Sequence, residues 1–125
     1  MTEPVSFARL REEVARFGAS PYLLTVNRDG RPHAVASEIA WEGERLVASA
    51  GTTTEANARE RPLVSLLWPP REPGGYSLIV DCTADVADGV VRLAPTKAVL
   101  HRAPAPGFVP ASPSCVADCV PILRT

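Results

Sequence analysis

Cysteine is scarce in this chain of 125 residues, which holds only Cys82, Cys115 and Cys119. An odd number gives no disulfide framework. The N-terminus, Met1-Thr2-Glu3-Pro4, has no basic segment leading into an apolar core, so no secretory signal is expected. Long apolar runs are missing too, and none approaches the ~20 residues of a membrane-spanning helix. Charge of one sign does not accumulate: 13 Lys and Arg face 14 Asp and Glu, for a net charge of −1. With no basic run, binding of nucleic acid through its phosphates is not expected. Also absent are GxGxxG, GxSxG, HExxH, a Walker loop and any paired catalytic carboxylates. Their absence argues against a dinucleotide-binding parallel sheet and leaves a fold that takes its chemistry from a cofactor. The expectation is a cytoplasmic protein that engages neither nucleic acid nor membrane.

What is present is a chain able to fold. Apolar residues make up 46%, enough for a packed core without metal or disulfide. Residues 1–125 therefore read as one domain. Ser6 is a candidate N-cap, and Phe7, Leu10, Val14 and Phe17 recur on one helical face before Gly18. That spacing predicts a helix over 6–17, within an N-terminal segment 1–18. Strand-like runs follow at 21–27, 33–41, 45–50, 63–68 and 76–86. A sixth starts at 90, is interrupted by Pro95 and resumes over 97–102, the proline marking an edge or a bulge. Asp29-Gly30 and Asp88-Gly89 are hairpin signals, because glycine accepts positive φ without steric penalty. Residues 53–61 read as a short helix closed by Pro62. Of the 13 prolines, Pro104, Pro106, Pro110 and Pro113 crowd a tail, 103–125, that should be extended or loop-like. The sum is a mainly β, six-stranded antiparallel barrel with an N-terminal helix and one short helix.

The order Leu24-Thr25-Val26…Asp29-Gly30-Arg31-Pro32-His33, Trp41-Glu42-Gly43-Glu44-Arg45-Leu46, Ala50-Gly51-Thr52…Asn57-Ala58-Arg59-Glu60-Arg61-Pro62 and Ala98-Val99-Leu100-His101-Arg102 resembles the pyridoxamine 5'-phosphate oxidase-like split β-barrels. The resemblance covers roughly residues 20–102, a share typical of one domain. It implies a homodimer with flavin mononucleotide (FMN) sites at the subunit interface, and hydride transfer to or from a small-molecule substrate. The deazaflavin coenzyme is an alternative cofactor. A flavin carrier without turnover, a haem-handling barrel with His33 or His101 as ligand, and an empty dimeric module remain open.

The resemblance also implies site residues. Ala50, Gly51, Thr52, Thr53 and Thr54 would cradle the cofactor phosphate with hydroxyls and helix N–H groups. Read without it, Thr52 or Thr53 is simply a helix cap. Many relatives carry an Arg-Lys pair where this chain has Thr53 and Thr54, so the compensating charge would come from Arg31, Arg59 or Arg61. Val35 and Ser37 share one face of their strand by alternation, and Ser37 is placed toward the cofactor. Asn57 and Arg59 lie on the short helix, Asn57 as a structural residue first. Trp68, with Leu67 and the loop 69–73, is a candidate for the interface or the partner's cofactor ring. His33 reads as a turn residue with its ring in solvent. His101, Cys115, Asp118 and Cys119 form a tempting cluster, but the spacing is not that of a structural zinc site and Cys82 could complete a ligand set only by tertiary accident, so no metal is expected. Cys115 and Cys119 read as small packed residues or, if close in space, as a redox pair.

Overall fold

The computed structural model describes residues 6–103 and 118–124. Helix α1, Phe7–Phe17, begins at Ser6, whose Oγ accepts from the Arg9 N–H at 3.4 Å. It ends at Gly18, whose φ of 104° explains the glycine there. Leu10 and Val14 bury the predicted apolar face in the core.

Eight strands follow among the described residues. They are β1 (Tyr22–Val26), β2 (Pro32–Ala36), β3 (Ile39–Glu42), β4 (Arg45–Ala48), β5 (Leu63–Trp68), β6 (Ser77–Ala87), β7 (Val90–Arg102) and β8 (Asp118–Arg124). Helix α2, Thr52–Glu60, lies between β4 and β5. Every pairing is antiparallel. The sheet order is β2-β1-β5-β6-β7-β4-β3, with β8 added to the far half of β7.

That order forces the sheet to curl. β2 and β3 stand at opposite ends of the path, yet only Ser37 and Glu38 separate them in sequence. So short a link spans about 10 Å, so the two ends must meet. They do: Ser37 N–H donates to the Pro21 carbonyl at 2.8 Å and Ile39 N–H to the Ala19 carbonyl at 2.9 Å. The expected strand over 33–41 is therefore two strands around a corner. The apolar run hid the break, because the corner uses a serine and a glutamate rather than glycine or proline.

The other correction to the strand count is β8. Its Pro121 sits on a strand that pairs only with β7, beside a register shift at Ala98/Val99. An edge position tolerates the missing N–H. Pro95 is accommodated by the expected bulge: Asp81 pairs with Lys97 and Cys82 with Pro95, so Thr96 is the extra residue. Its Oγ1 donates to the Asp81 carbonyl at 3.2 Å, in place of a ladder bond.

Leu23, Leu46, Leu66, Leu78, Val80, Val91, Leu93 and Ile122 fill the interior. The outer face is less polar than a solvent face need be. Ala36, Tyr22, Leu67, Ile79, Val99 and Pro121 form one continuous row of register partners across six strands. Tyr22 is 44% exposed. The row beside it runs Ala34, Leu24, Ser65, Asp81, Lys97, with Ser65 Oγ donating to Asp81 Oδ1 at 2.7 Å. No helix of the described residues is long and apolar enough to cross a membrane.

Candidate functional site

The β2–β3 corner is tied to the end of β4. Ser37 Oγ donates to the Ser49 carbonyl at 2.6 Å, and Glu38 N–H donates to Ser49 Oγ at 2.9 Å. These bonds hold β2 beside the start of α2. Between them opens a cleft of about 550 Å³, lined by His33, Val35 and Ala36 of β2, by Ser49, Ala50 and Gly51, and by Thr52, Thr53 and Thr54 of the first turn of α2.

The N-terminus of α2 carries the polar chemistry of this cleft. Gly51 is the N-cap, and no side chain caps the helix. The first intrahelical bond runs from Glu55 N–H to the Gly51 carbonyl at 3.0 Å. The N–H groups of residues 52–54 precede it and have no acceptor within the helix. They also stand at the positive end of the helix dipole. Thr52 and Thr53 are exposed and can add hydroxyl donors, whereas Thr54 is 2% exposed and belongs to the helix–sheet contact. The expectation that Thr52 or Thr53 caps the helix does not hold, and that leaves their hydroxyls available to an anion.

Of the expected site residues, the structure brings Val35, Ala50, Gly51, Thr52, Thr53 and Thr54 together around this cleft. It does not bring Ser37, Asn57, Arg59 or Trp68 to the lining. Ser37 is buried, and its hydroxyl is engaged by Ser49. Asn57 is buried and donates Nδ2 to Thr25 Oγ1 at 3.1 Å and to Asn27 Oδ1 at 2.8 Å, which fastens α2 to β1. Trp68 is 2% exposed and donates Nε1 to the Gly18 carbonyl at 2.7 Å, which anchors the end of α1. The expected exposed tryptophan is thus a core residue, because β5 alternates and turns Trp68 inward with Val64 and Leu66.

No Lys or Arg lines the cleft among the described residues. Arg61 donates Nε to the Val26 carbonyl at 2.7 Å and pairs with Glu60 at 3.0 Å. Arg31 sits 3.5 Å from Asp29. Arg59 is exposed on α2 and is not part of the lining. Neutral donors and a helix terminus therefore make up the polar side of the cleft.

His33, Ala36 and Ser49 line the cleft although none of them was among the expected cofactor contacts. His33 is half-buried on β2 rather than a solvated turn residue. The signal was its two-residue spacing from Val35, which places both on one strand face.

Among the described residues no group of three His, Cys, Asp or Glu could hold an ion. Cys115 lies outside the described residues. Cys82 is buried, and burial, reinforced by the Asp81 charge, pushes its thiol up to about 12. Cys119 is exposed rather than packed, with its Sγ 3.3 Å from His101 Nδ1.

No protein-family model matches the chain. It is 40% identical over 119 positions to an uncharacterised protein of Mycobacterium bovis, Mb0449c, covering 79% of this chain and 82% of that protein. The same figures hold for an uncharacterised Mycobacterium tuberculosis protein, MT0457. Among solved structures it is similar to a Listeria innocua protein provisionally assigned as a pyridoxamine 5'-phosphate oxidase. The TM-score is 0.59 at 16% identity, over 73% of this chain and 97% of that one. An F420 reductase matches with a TM-score of 0.52 at 20% identity, over 64% of this chain and 88% of that one.

Proposed function

The chain belongs to one family with the two mycobacterial proteins and has a split-barrel fold like that of the pyridoxamine 5'-phosphate oxidase neighbour, and we propose that it is an oxidoreductase that binds a flavin-type cofactor. FMN is the first reading. The observation that carries it is the uncapped N-terminus of α2, which opens with Thr52 and Thr53 into the cleft. A phosphate there would meet helix N–H groups and two hydroxyls. Val35, Ala36 and Ala50 offer small apolar surfaces for a planar ring, and among the described residues His33 is the one titratable side chain in the lining. When bound, the flavin supplies hydride transfer to or from a small molecule. The residues of this chain hold its phosphate, orient its ring and keep water from one face.

The deazaflavin coenzyme is the second reading, and the missing lining cations favour it. A phosphomonoester such as that of FMN carries nearly two negative charges at neutral pH. A phosphodiester carries one, which neutral donors and a helix dipole compensate more readily. The F420 reductase among the structural neighbours fits that reading.

We further propose that two copies pair through the outer apolar row, because Ala36 belongs both to that row and to the cleft lining. The test is a fluorescence titration of the purified protein with FMN and, in parallel, with the deazaflavin coenzyme. Saturable binding at micromolar concentration or tighter is expected for one of them and fixes the cofactor. Failure of both would retire the oxidoreductase reading in favour of an interaction module.

A further inference from the structure

We propose that Cys119 and His101 form a reactive thiol site that exchanges with low-molecular-weight disulfides. The site is built by strand pairing. His101 on β7 and Cys119 on β8 are register partners. Opposed residues of an antiparallel pair project on the same side with Cβ atoms about 5 Å apart. Here they bring Nδ1 and Sγ to 3.3 Å. Cys119 is exposed, so a reagent can reach its sulfur. His101 also lines a shallow cleft of about 260 Å³ with Pro70, Gly74, Gly75, Ser77 and Arg102. The Arg102 guanidinium lies 4.4 Å over the Tyr76 ring at that cleft.

An imidazole at hydrogen-bonding distance takes the thiol proton and stabilises the thiolate, which is the nucleophile in disulfide exchange. Arg102 follows His101 on β7, and its guanidinium lies over the Tyr76 ring. Ser77, opposite His101 on β6, is uncharged. Asp118, the register partner of Arg102, precedes Cys119 on β8. The contrast is Cys82, whose buried thiol holds its proton to about 12.

In the exchange, Cys119 Sγ–H gives its proton to His101 Nδ1. The thiolate attacks one sulfur of the disulfide, forming a new S–S bond as the reagent's own S–S bond breaks. The departing sulfur leaves with the electron pair and takes the proton from His101. Cys119 is oxidised to the mixed disulfide and the leaving sulfur is reduced to a thiol.

The test uses the full chain with oxidised glutathione at pH 7, with peptide mass spectrometry to resolve the three cysteines. A thiol whose pKa falls by one unit from about 8.5 gains nearly tenfold in thiolate at pH 7. Because nucleophilicity falls along with the pKa, Cys119 should react about threefold faster in the native protein than in the same protein unfolded in urea. His101→Gln and His101→Asn, two variants in case one misfolds, should bring the native rate down to the unfolded one. A native rate no faster than the unfolded rate overturns the proposal, as does a native rate indifferent to both His101 variants.

Discussion

Asn57 concentrates more of the local geometry than its neighbours do. Its Nδ2 donates to Thr25 Oγ1 and Asn27 Oδ1, and its Oδ1 accepts from Arg61 at 3.4 Å. Three segments meet at one buried amide. Asn57→Ala would leave the buried Thr25 hydroxyl and the Asn27 side chain short of a donor, and each such loss costs about 1–3 kcal/mol. A loss of about 2–4 kcal/mol in urea denaturation is expected, with a smaller loss arguing that water replaces the amide. Cys82 gives a prediction in pH. Its folded thiol is raised to about 12 from an ordinary 9.0. Below about 9 both folded and unfolded chains keep the proton, and stability is flat. Above it the unfolded chain loses a proton that the folded chain retains, so unfolding becomes easier by about 1.4 kcal/mol per unit until the folded thiol itself ionises. Cys82→Ala removes that slope. Whatever advantage Cys82 has over alanine at pH 7 should shrink between pH 9 and 11, and a constant gap would show that Cys82 is not protected. Asn57 was legible as structural in the sequence. Trp68 and Ser37 were not, because a single residue's facing depends on where its strand ends.

Elements were more legible than facing. The four apolar positions of α1 and its Ser6 and Gly18 boundaries are local features, and the helix forms where they place it. The Asp88-Gly89 turn is local as well, and both residues adopt positive φ, 54° and 72°. The corner at Ser37 and the strand β8 are not local. One is set by the meeting of the sheet's two ends, the other by an open half of β7 that accepts a proline-bearing edge strand. The start of α2 lies between these cases. The sequence indicated hydroxyls at a helix start but not which one would cap, and the answer is that Gly51 caps with no side chain at all. The functional test of that element is therefore Thr52→Ala with Thr53→Ala, leaving the buried Thr54 in place. If both hydroxyls contact phosphate, cofactor binding should weaken by about 2–4 kcal/mol, since hydrogen bonds to a charged group contribute about 1.5–3 kcal/mol each. Folding stability should stay level or rise slightly, because alanine is the better helix former. Undiminished affinity in the folded double variant would remove the α2 terminus from the site.

At the scale of the whole molecule, the outer face poses the question the isolated chain leaves open. A row of six register partners, from Ala36 through Tyr22, Leu67, Ile79 and Val99 to Pro121, is apolar from end to end. Sheet faces turned to water usually alternate toward polar residues. A contiguous apolar band on a small protein marks a surface that is covered. The row starts at the lining of the cleft, so a second copy seated on it would also wall the cofactor. The adjacent Ser65–Asp81 pair can supply the polar border that such interfaces carry. Ile79 is near the middle of the row. Ile79→Arg places an unpaired charge there, and twofold pairing would present it from both copies. Losing one partner of a buried charge pair costs about 3–5 kcal/mol, and an unpaired guanidinium at the centre should cost at least as much. Sedimentation velocity should find the unaltered chain dimeric at micromolar concentration and Ile79→Arg monomeric. Glu12→Arg on the exposed side of α1 should change neither state. If the cleft is shared between copies, the monomeric variant should also lose cofactor affinity about tenfold or more. A monomer that binds cofactor undiminished would keep the dimer but make each cleft complete within a single chain, and a variant that stays dimeric would show that the apolar row is not the surface where the copies meet.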